Sequence, residues 1–347
     1  MPHSSFARVE KSSHLHATSA VAHALRLTPR VLLVACAAVV VAAITTPREA
    51  AAQLIARESF VYPAGEILYG QTGGLGFSGP WIEKSYGDFD VIAEQALDHP
   101  TTPNAGLALK STAPFYQYSE LTRSLAAPIT GAPGTVVWAS FLLRKDSEGS
   151  FGPPDNFFGL VLYSSDPDPD ADHLFIGDTG ESDFYSLGIA GSDAGQAPSA
   201  HESVVSPSST LLLVRIAFQE GPDVIDLFVN PDPNLGGSAV PAATKRDLDL
   251  ADIGSIGLLA GYDAEWSVDE VTIGRLDIAS IARTNAGGVR LNAAGVPGRT
   301  HRVLASSDLT QQFLPVESVV ADANGNMVFD DPSAGAATTR FYRLAYP

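Results

Sequence analysis

Cysteine is almost missing from this 347-residue chain. The single thiol, Cys36, lies inside the apolar run "VLLVACAAVVVAAI" (31–44) and reads as a small apolar residue there. A lipobox cysteine would end such a run, and eight apolar residues still follow this one. A mature chain beginning at Gln53 contains no cysteine, which excludes disulfides, a thiol nucleophile and cysteine-ligated zinc. Long hydrophobic runs are missing too. The run from Val31 to Ile44 has 14 residues, short of the ~20 that a membrane span needs, and no later segment is more apolar. Histidine is scarce and scattered. Four of the eight precede residue 53, and His99, His173, His201 and His301 lie far apart, without zinc-ligand spacing. No G-x-S-x-G elbow accompanies them, so a Ser-His-Asp site has no basis in the sequence.

Positive charge is the remaining scarcity: 21 Lys and Arg against 39 Asp and Glu, a net charge of −18. Residues 53–278 carry 10 basic and 32 acidic side chains, whereas 279–347 carry 6 and 5. The acidic body argues against nucleic acid, because phosphate binding needs Lys and Arg to displace counterions. The change in balance marks a domain boundary near Ala279. Residues 1–52 form a leader of their own: Arg26 and Arg30 precede the apolar run, and Ala50-Ala51-Ala52 offers a small-residue cleavage site. That order describes a secretory signal peptide. The expectation is a secreted, cell-surface or periplasmic protein with no stable membrane span after cleavage.

The patterns present are those of strands. "GTVVWASFLL" (134–143), "FFGLVLY" (157–163), "HLFIG" (173–177) and "YSLGIAG" (185–191) are short, rich in β-branched and aromatic residues, and bounded by turn formers. "TLLLVRIAF" and "DVIDLFVN" flank "QEGP", which reads as a hairpin turn. "IGSIGLLAGY" and "SVDEVTIGRL" follow, and "TKRDLDLADIG" (244–254) is a weak helix candidate. The C-terminal segment continues with "GVRLNAAG", "THRVLASS", "VESVVAD", "NMVFDD" and "RFYRLAY", with an Asn-Gly hairpin signal in "DANGN" (322–326). Many short strands with regular turn signals predict an all-β jelly-roll sandwich, residues 53–278, followed by a small C-terminal β module, residues 279–347.

One segment carries the spacing of a dinucleotide loop: "GLGFSG" (74–79) satisfies G-x-G-x-x-G. Such a loop must follow a buried strand and open a helix. Here Pro63, Gly65 and Gly70 interrupt what precedes it, and Pro80-Trp81 follows. The glycines are better read as supplying positive φ and tight bends where the chain crosses a sandwich edge before Trp81 packs. In this setting "ESFVYPAGEILYGQTGGLGFSGPW" (58–81), "IDLFVNPDP" (225–233) and "VDEVTIG" (268–274) resemble, in that order, segments of secreted concanavalin A-like, laminin G-like jelly-roll proteins of bacteria such as planctomycetes. The resemblance covers most of 58–278 and implies a concanavalin A-like jelly roll whose partner is an extracellular polysaccharide or glycoconjugate. It also implies a structural, hydrogen-bonding role for Asp269. The tail resembles a small β module appended to such exported proteins, without the Pro-Glu-Pro sorting signal, so envelope anchoring by that route is not expected.

Three carboxylate groups need weighing. Glycosidases of this fold place paired carboxyls on one strand in E-x-D-x-E or E-x-D-x-x-E patterns. Glu265, Asp269 and Glu270 in "EWSVDE" match neither pattern, and adjacent residues 269 and 270 should face opposite sides of a strand. The expectation is a protein that is not an enzyme. In "SSDPDPDADHL", Asp166, Asp168, Asp170 and Asp172 recur at every second position and are candidate calcium ligands. Asp322, Asn324, Asn326 and Asp330 resemble a calcium loop superficially, but Asn-Gly explains them as a turn. Tyr86, Tyr116, Tyr118 and Tyr163 are candidate sugar platforms, with strand-core burial as the competing reading. Two functions follow: a non-catalytic carbohydrate-binding module, calcium-assisted or not, or a structural, adhesive envelope protein.

Overall fold

The computed structural model describes residues 54–63, 65–85, 89–91, 96–100, 108–112, 119–147, 156–165, 173–180, 184–190, 199–203, 208–232, 239–261, 264–322, 324–336 and 339–346. In chain order the sandwich strands are β1 (Leu54–Glu58), β2 (Phe77–Ser85), β3 (Phe89–Val91), β4 (Leu109–Thr112) and β5 (Ser119–Thr130). Next come β6 (Val136–Ser147), β7 (Phe158–Tyr163), β8 (His173–Asp178), β9 (Phe184–Ala190) and β10 (Ser199–Ser203). The last five are β11 (Thr210–Gln219), β12 (Gly221–Val229), β13 (Ala243–Lys245), β14 (Asp252–Ala260) and β15 (Glu265–Arg275). The module adds β16 (Asp277–Arg283), β17 (Val289–Ala294), β18 (Thr300–Ser306), β19 (Leu314–Val320), β20 (Asn326–Asp331) and β21 (Phe341–Ala345). Among the described residues no helix is long and apolar enough to cross a membrane.

The sandwich has an eight-stranded sheet, ordered β13-β12-β11-β6-β15-β4-β3 with β1 also on β15, and a seven-stranded sheet ordered β10-β9-β8-β7-β14-β5-β2. Non-sequential neighbours such as β6 and β15 make this a jelly roll rather than a meander. The core lies between the sheets because alternate residues face inward: Val137, Ala139, Phe141 and Leu143 from β6 meet Leu160, Leu162, Leu174 and Ile176 from β7 and β8. The "QEGP" hairpin forms as the sequence indicates, with Gln219 opposite Gly221 and Gly221 at φ 87°.

Two local expectations change. Residues 244–254 hold no helix: Thr244 and Lys245 complete β13, and β14 begins at Asp252. The apolar period there is two, because Leu248 and Leu250 are buried while Asp247 and Asp249 are exposed. The "DANGN" turn does close, with Asp322 Oδ1 accepting from the Asn324 and Asn326 amides at 2.8 Å each. Its flanking strands do not pair as a hairpin, however. β19 joins β18 and β21, whereas β20 joins β17 and β16 in the other three-stranded sheet.

The glycine segment is held against β1. Arg57 and Leu75 exchange both backbone hydrogen bonds, at 2.9 and 2.8 Å. An added Cβ on Gly76 would lie 1.8 Å from the Ile55 carbonyl oxygen, and one on Gly74 would lie 2.7 Å from that of Arg57. Both glycines have positive φ, 81° and 76°. Behind them Glu58 is fully buried, with Oε2 accepting from Arg123 Nη1 at 2.7 Å, the Tyr62 hydroxyl at 2.6 Å and Trp81 Nε1 at 3.3 Å. Oε1 takes the Phe60 amide at 3.0 Å, which holds Phe60 at φ 48° with its ring stacked on Trp81. The glycines therefore serve close backbone approach and positive φ, as read from the sequence.

β15 contains the main irregularity. Its inner-face residues run Trp266, Val268, Val271, Ile273, so one residue is extra between 268 and 271. This bulge overturns the expectation that Asp269 and Glu270 face opposite sides: both lie off the inner face. It also marks a change of neighbour, since Glu265–Val268 pair with β4 and Val271–Gly274 pair with β1 along the same edge. Glu270 sits at φ 50°, a strained conformation for a residue with a Cβ. Its carboxylate holds it there by accepting from Arg57 Nη2 at 2.8 Å and Ser59 Oγ at 3.1 Å. Asp269, fully buried, accepts the Leu97 amide at 3.1 Å and the Glu270 amide at 2.7 Å. Burial outweighs those bonds and holds its pKa up at about 7.

Three outcomes are expected. Removing one partner of the buried pair, as in Glu58→Gln, should cost ~3–5 kcal/mol in denaturant unfolding. The double change Glu58→Leu with Arg123→Met should cost less than the sum of the singles; strict additivity would show that the pair does not couple. Gly76→Ala should be far more damaging than Gly79→Ala, which has positive φ but open space and should lose only about 1–2 kcal/mol. Finally, Asp269 keeps its proton to about pH 7 in the fold but loses it near the ordinary 3.8 when unfolded. Its contribution to stability is therefore present at acid pH and lost as pH rises through that window, with a slope of about 1.4 kcal/mol per unit. Unfolding midpoints at pH 5 and pH 8 should differ less in Asp269→Asn; an unchanged difference would clear Asp269 of the effect.

Candidate functional site

The four aspartates Asp166, Asp168, Asp170 and Asp172 lie outside the described residues, as do Tyr86, Tyr116 and Tyr118. The residues that flank the aspartate segment are described. Tyr163, at the end of β7, meets the edge of the His173 ring at the start of β8, 4.6 Å between centroids. Lys84 Nζ lies 4.0 Å over the Tyr163 ring and 3.5 Å from Glu120, which accepts the Tyr163 hydroxyl. Burial and Glu120 raise the Tyr163 pKa. The opposite side of the ring packs on Gly257, where a Cβ would come within 2.5 Å, and Phe175 packs likewise on Gly159. Tyr163 and Phe175 are each only 5% exposed. These rings on the seven-stranded sheet are packed on both sides, so Tyr163 follows the core reading and offers no open platform.

The β15 carboxylates are similarly committed. Asp269 binds backbone amides, and Glu270 binds Arg57 and Ser59. Glu265 sits at the start of the strand, opposite Thr112 and Ser147. Among the described residues no group of three or more His, Cys, Asp or Glu is arranged to hold a metal ion.

Open space occurs elsewhere, on the outer face of the eight-stranded sheet. Trp138 alternates with the inward Val137 and Ala139, so its indole points away from the core. There it packs against Leu213, Phe228 and, from the module, Val296 and Tyr346. The Trp138 and Tyr346 rings meet edge to face at 5.2 Å. Beside this contact is a cavity of about 590 Å³, within the size range of ligand sites. The sheet supplies Val136, Trp138 and Arg215; Leu276 and Ile278 line it at the junction; Leu304 and Tyr342 to Tyr346 close it from the module.

The polar groups of this cavity are unevenly distributed. Arg215 stands opposite Trp138 in the β11–β6 ladder and gives Nη2 to Asp226, whose other oxygen takes the Thr244 hydroxyl at 2.7 Å. Arg215 Nε and Trp138 Nε1 make no hydrogen bond. Arg343 is exposed and stacks over Phe313 at 4.7 Å. Tyr342 donates to Asp331 at 2.9 Å; burial and that carboxylate push its pKa up to about 12. Burial also raises Tyr346 to about 12, and its ring stacks on His301 at 4.6 Å. Burial lowers His301 to about 4. His301 is thus neutral, with Nε2 accepting the Val296 amide and Nδ1 facing the Arg299 carbonyl. Among the described residues no Asp or Glu lines the cavity. Sequence reading treated Trp138 only as a strand residue. The available signal was its placement: a large aromatic on the outward alternation of a central strand, with an arginine as cross-strand neighbour.

No protein-family model and no curated protein sequence matches the chain. Solved structures do resemble it. The globular domain of T. cruzi calreticulin is 13% identical, covering 56% of this chain and 83% of that one, with a TM-score of 0.35. A carbohydrate-binding module from Bacillus subtilis is 11% identical over 56% of this chain and 94% of that one, TM-score 0.32. An endo-1,3-beta-glucanase from Streptomyces sioyaensis is 9% identical over 66% and 98%, TM-score 0.40. Lectins, carbohydrate-binding modules and glucanases thus stand side by side among the similar structures. What the chain itself displays, by its sheet order, is an all-β, concanavalin A-like jelly-roll sandwich with a small C-terminal β module.

Proposed function

We propose that this chain is an exported, non-catalytic carbohydrate-binding protein whose sugar site is the cavity between the eight-stranded sheet and the C-terminal module. The observation that carries the reading is the combination of aromatic rings and free donors in one recess of about 590 Å³. Sugar rings present C–H faces that pack on aromatic surfaces and hydroxyls that need directional partners; Trp138, Tyr342 and Tyr346 supply the first, and Arg215 and Arg343 the second. The non-catalytic part is supported by the commitment of Asp269 and Glu270 to structural bonds. Export is supported by the leader-like order of residues 1–52. One observation favours an adhesive role instead: β19 is an edge strand with Leu314, Val316 and Val320 exposed, the kind of edge on which another strand can add.

The expected outcome is retention of the full chain on at least one class of polysaccharide in a pull-down and on a glycan array. Tyr342→Ala should weaken retention by about tenfold, while Tyr342→Phe, which keeps the ring, should hold most of it. Absence of retention on every glycan would overturn the reading in favour of the adhesive one. Release of reducing ends from a retained polysaccharide would overturn its non-catalytic part. Melting temperatures with calcium and with chelator assign or dismiss a cation: a calcium-dependent rise that disappears in Asp168→Asn with Asp170→Asn would place the ion on the aspartate segment, and unchanged melting would remove it.

A further inference from the structure

The geometry points to a glycan bearing an oxyanion, a carboxylate or a sulfate ester, as the ligand of this cavity, an inference that rests on the carbohydrate reading above. The chain holds 39 acidic residues against 21 basic, yet the described residues that line the cavity include two arginines and no acid. Two acids contact the lining residues, and both are engaged: Asp226 by Arg215 and Thr244, and Asp331 by Tyr342, Arg340 and Ser333. Arg215 uses only Nη2 in its pair with Asp226; Nε is buried, and the rest of the guanidinium belongs to a side chain that is 39% exposed, so it keeps donors toward the recess. Arg343, on β21 opposite Leu304, makes no ion pair among the described residues and is held by stacking on Phe313. Stacking leaves the in-plane N–H groups of a guanidinium available, and those are the groups that take a carboxylate or sulfate bidentately.

The two arginines come from different layers, Arg215 from the sandwich and Arg343 from the module, with Trp138, Tyr342 and Tyr346 among the residues around the same recess. An oxyanion held by these guanidiniums would sit beside aromatic surface suited to the sugar ring that carries it. The net negative charge of the chain repels anions at long range, but that field is screened beyond about 8 Å at physiological salt. Contact with the guanidiniums, rather than steering, therefore decides the preference: a neutral sugar takes only hydroxyl hydrogen bonds from them, whereas an oxyanion takes charge-assisted ones.

Calorimetric titration of the full chain tests this with an oligogalacturonide, its methyl ester, a sulfated galactan oligosaccharide and poly-glutamate. The uronate should bind about tenfold to a hundredfold more tightly than its ester, the range set by one charge-assisted contact. Arg343→Gln should erase that difference, Arg343→Lys should restore part of it, and neither exposed substitution should shift the melting temperature. Tighter binding of the sulfated oligosaccharide than of the uronate would identify sulfate as the preferred oxyanion; the reverse would identify carboxylate, and either supports the proposal. Equal binding of acid and ester would overturn anion selection while leaving sugar binding intact. Poly-glutamate binding as tightly as the uronate would overturn the glycan class, and failure of every sugar, acidic or neutral, would remove both readings together.

Discussion

A single buried carboxylate, Glu58, organises the N-terminal edge of the sandwich. Burying an ion pair is costly, and Glu58 offsets that cost by filling its lone pairs: it receives the Arg123 guanidinium, the Tyr62 hydroxyl, the Trp81 indole N–H and the Phe60 amide. Glu58 stands on β1 and its partners come from the loop after it, β2 and β5, so one side chain ties elements of both sheets to the same point. A purely apolar substitute could fill the volume but could not fix the register of four donors. The glycine run exists because of this lock. With β1 held at that depth, the 74–76 backbone must pass against Ile55 and Arg57 at distances that admit no Cβ.

The influence of the lock continues along β1 into β15. Because β1 and β4 share one edge of β15, the central strand must change partner between Val268 and Val271, and the bulge absorbs the change. The extra residue places Asp269 and Glu270 off the inner face, where each acquires a bonding role: Asp269 secures Leu97, and Glu270 secures Arg57 and Ser59. Glu270 also acts on the module, since its charge supports the cationic form of buried Arg299 against the loss of solvation there. The β15 carboxylates thus hold Leu97, Arg57 and Ser59 against the central strand.

Much of the architecture was legible from period and punctuation. β6, β7, β8, β11, β12, β14 and β15 are apolar, β-branched runs between turn formers, and they stand where those signals put them. β5 was not visible: "SELTRSLAAPIT" has a charged pair, a proline and weak alternation, and it is a strand because β14 and β2 pair with it on either side. The helix suggested at 244–254 failed because two leucines two residues apart follow strand alternation along the core rather than a helical face. The "DANGN" turn was legible locally, but the sheet each flanking strand would join depends on long-range pairing. The cavity was the least legible feature. Trp138, Arg215 and Tyr342 are distant in sequence, and only the docking of the module on the outer sheet face brings them together.

That docking also explains why two arginines reach the recess in an acidic protein. The outer face of the eight-stranded sheet carries Trp138, Leu213 and Phe228, an apolar surface that water would otherwise cover, and the module supplies Val296 and Tyr346 to bury it. Between residues 53 and 347 the module is the part in which acidic residues do not outnumber basic ones: 6 basic against 5 acidic in residues 279–347. Two of its acids are already matched, Asp330 by Arg290 and Asp331 by Arg340 and Tyr342. Arg343 is therefore left to the recess, facing a sheet on which Arg215 has donors in excess of Asp226. Which charged groups the recess presents follows from which of them keep free donors after the two layers have packed.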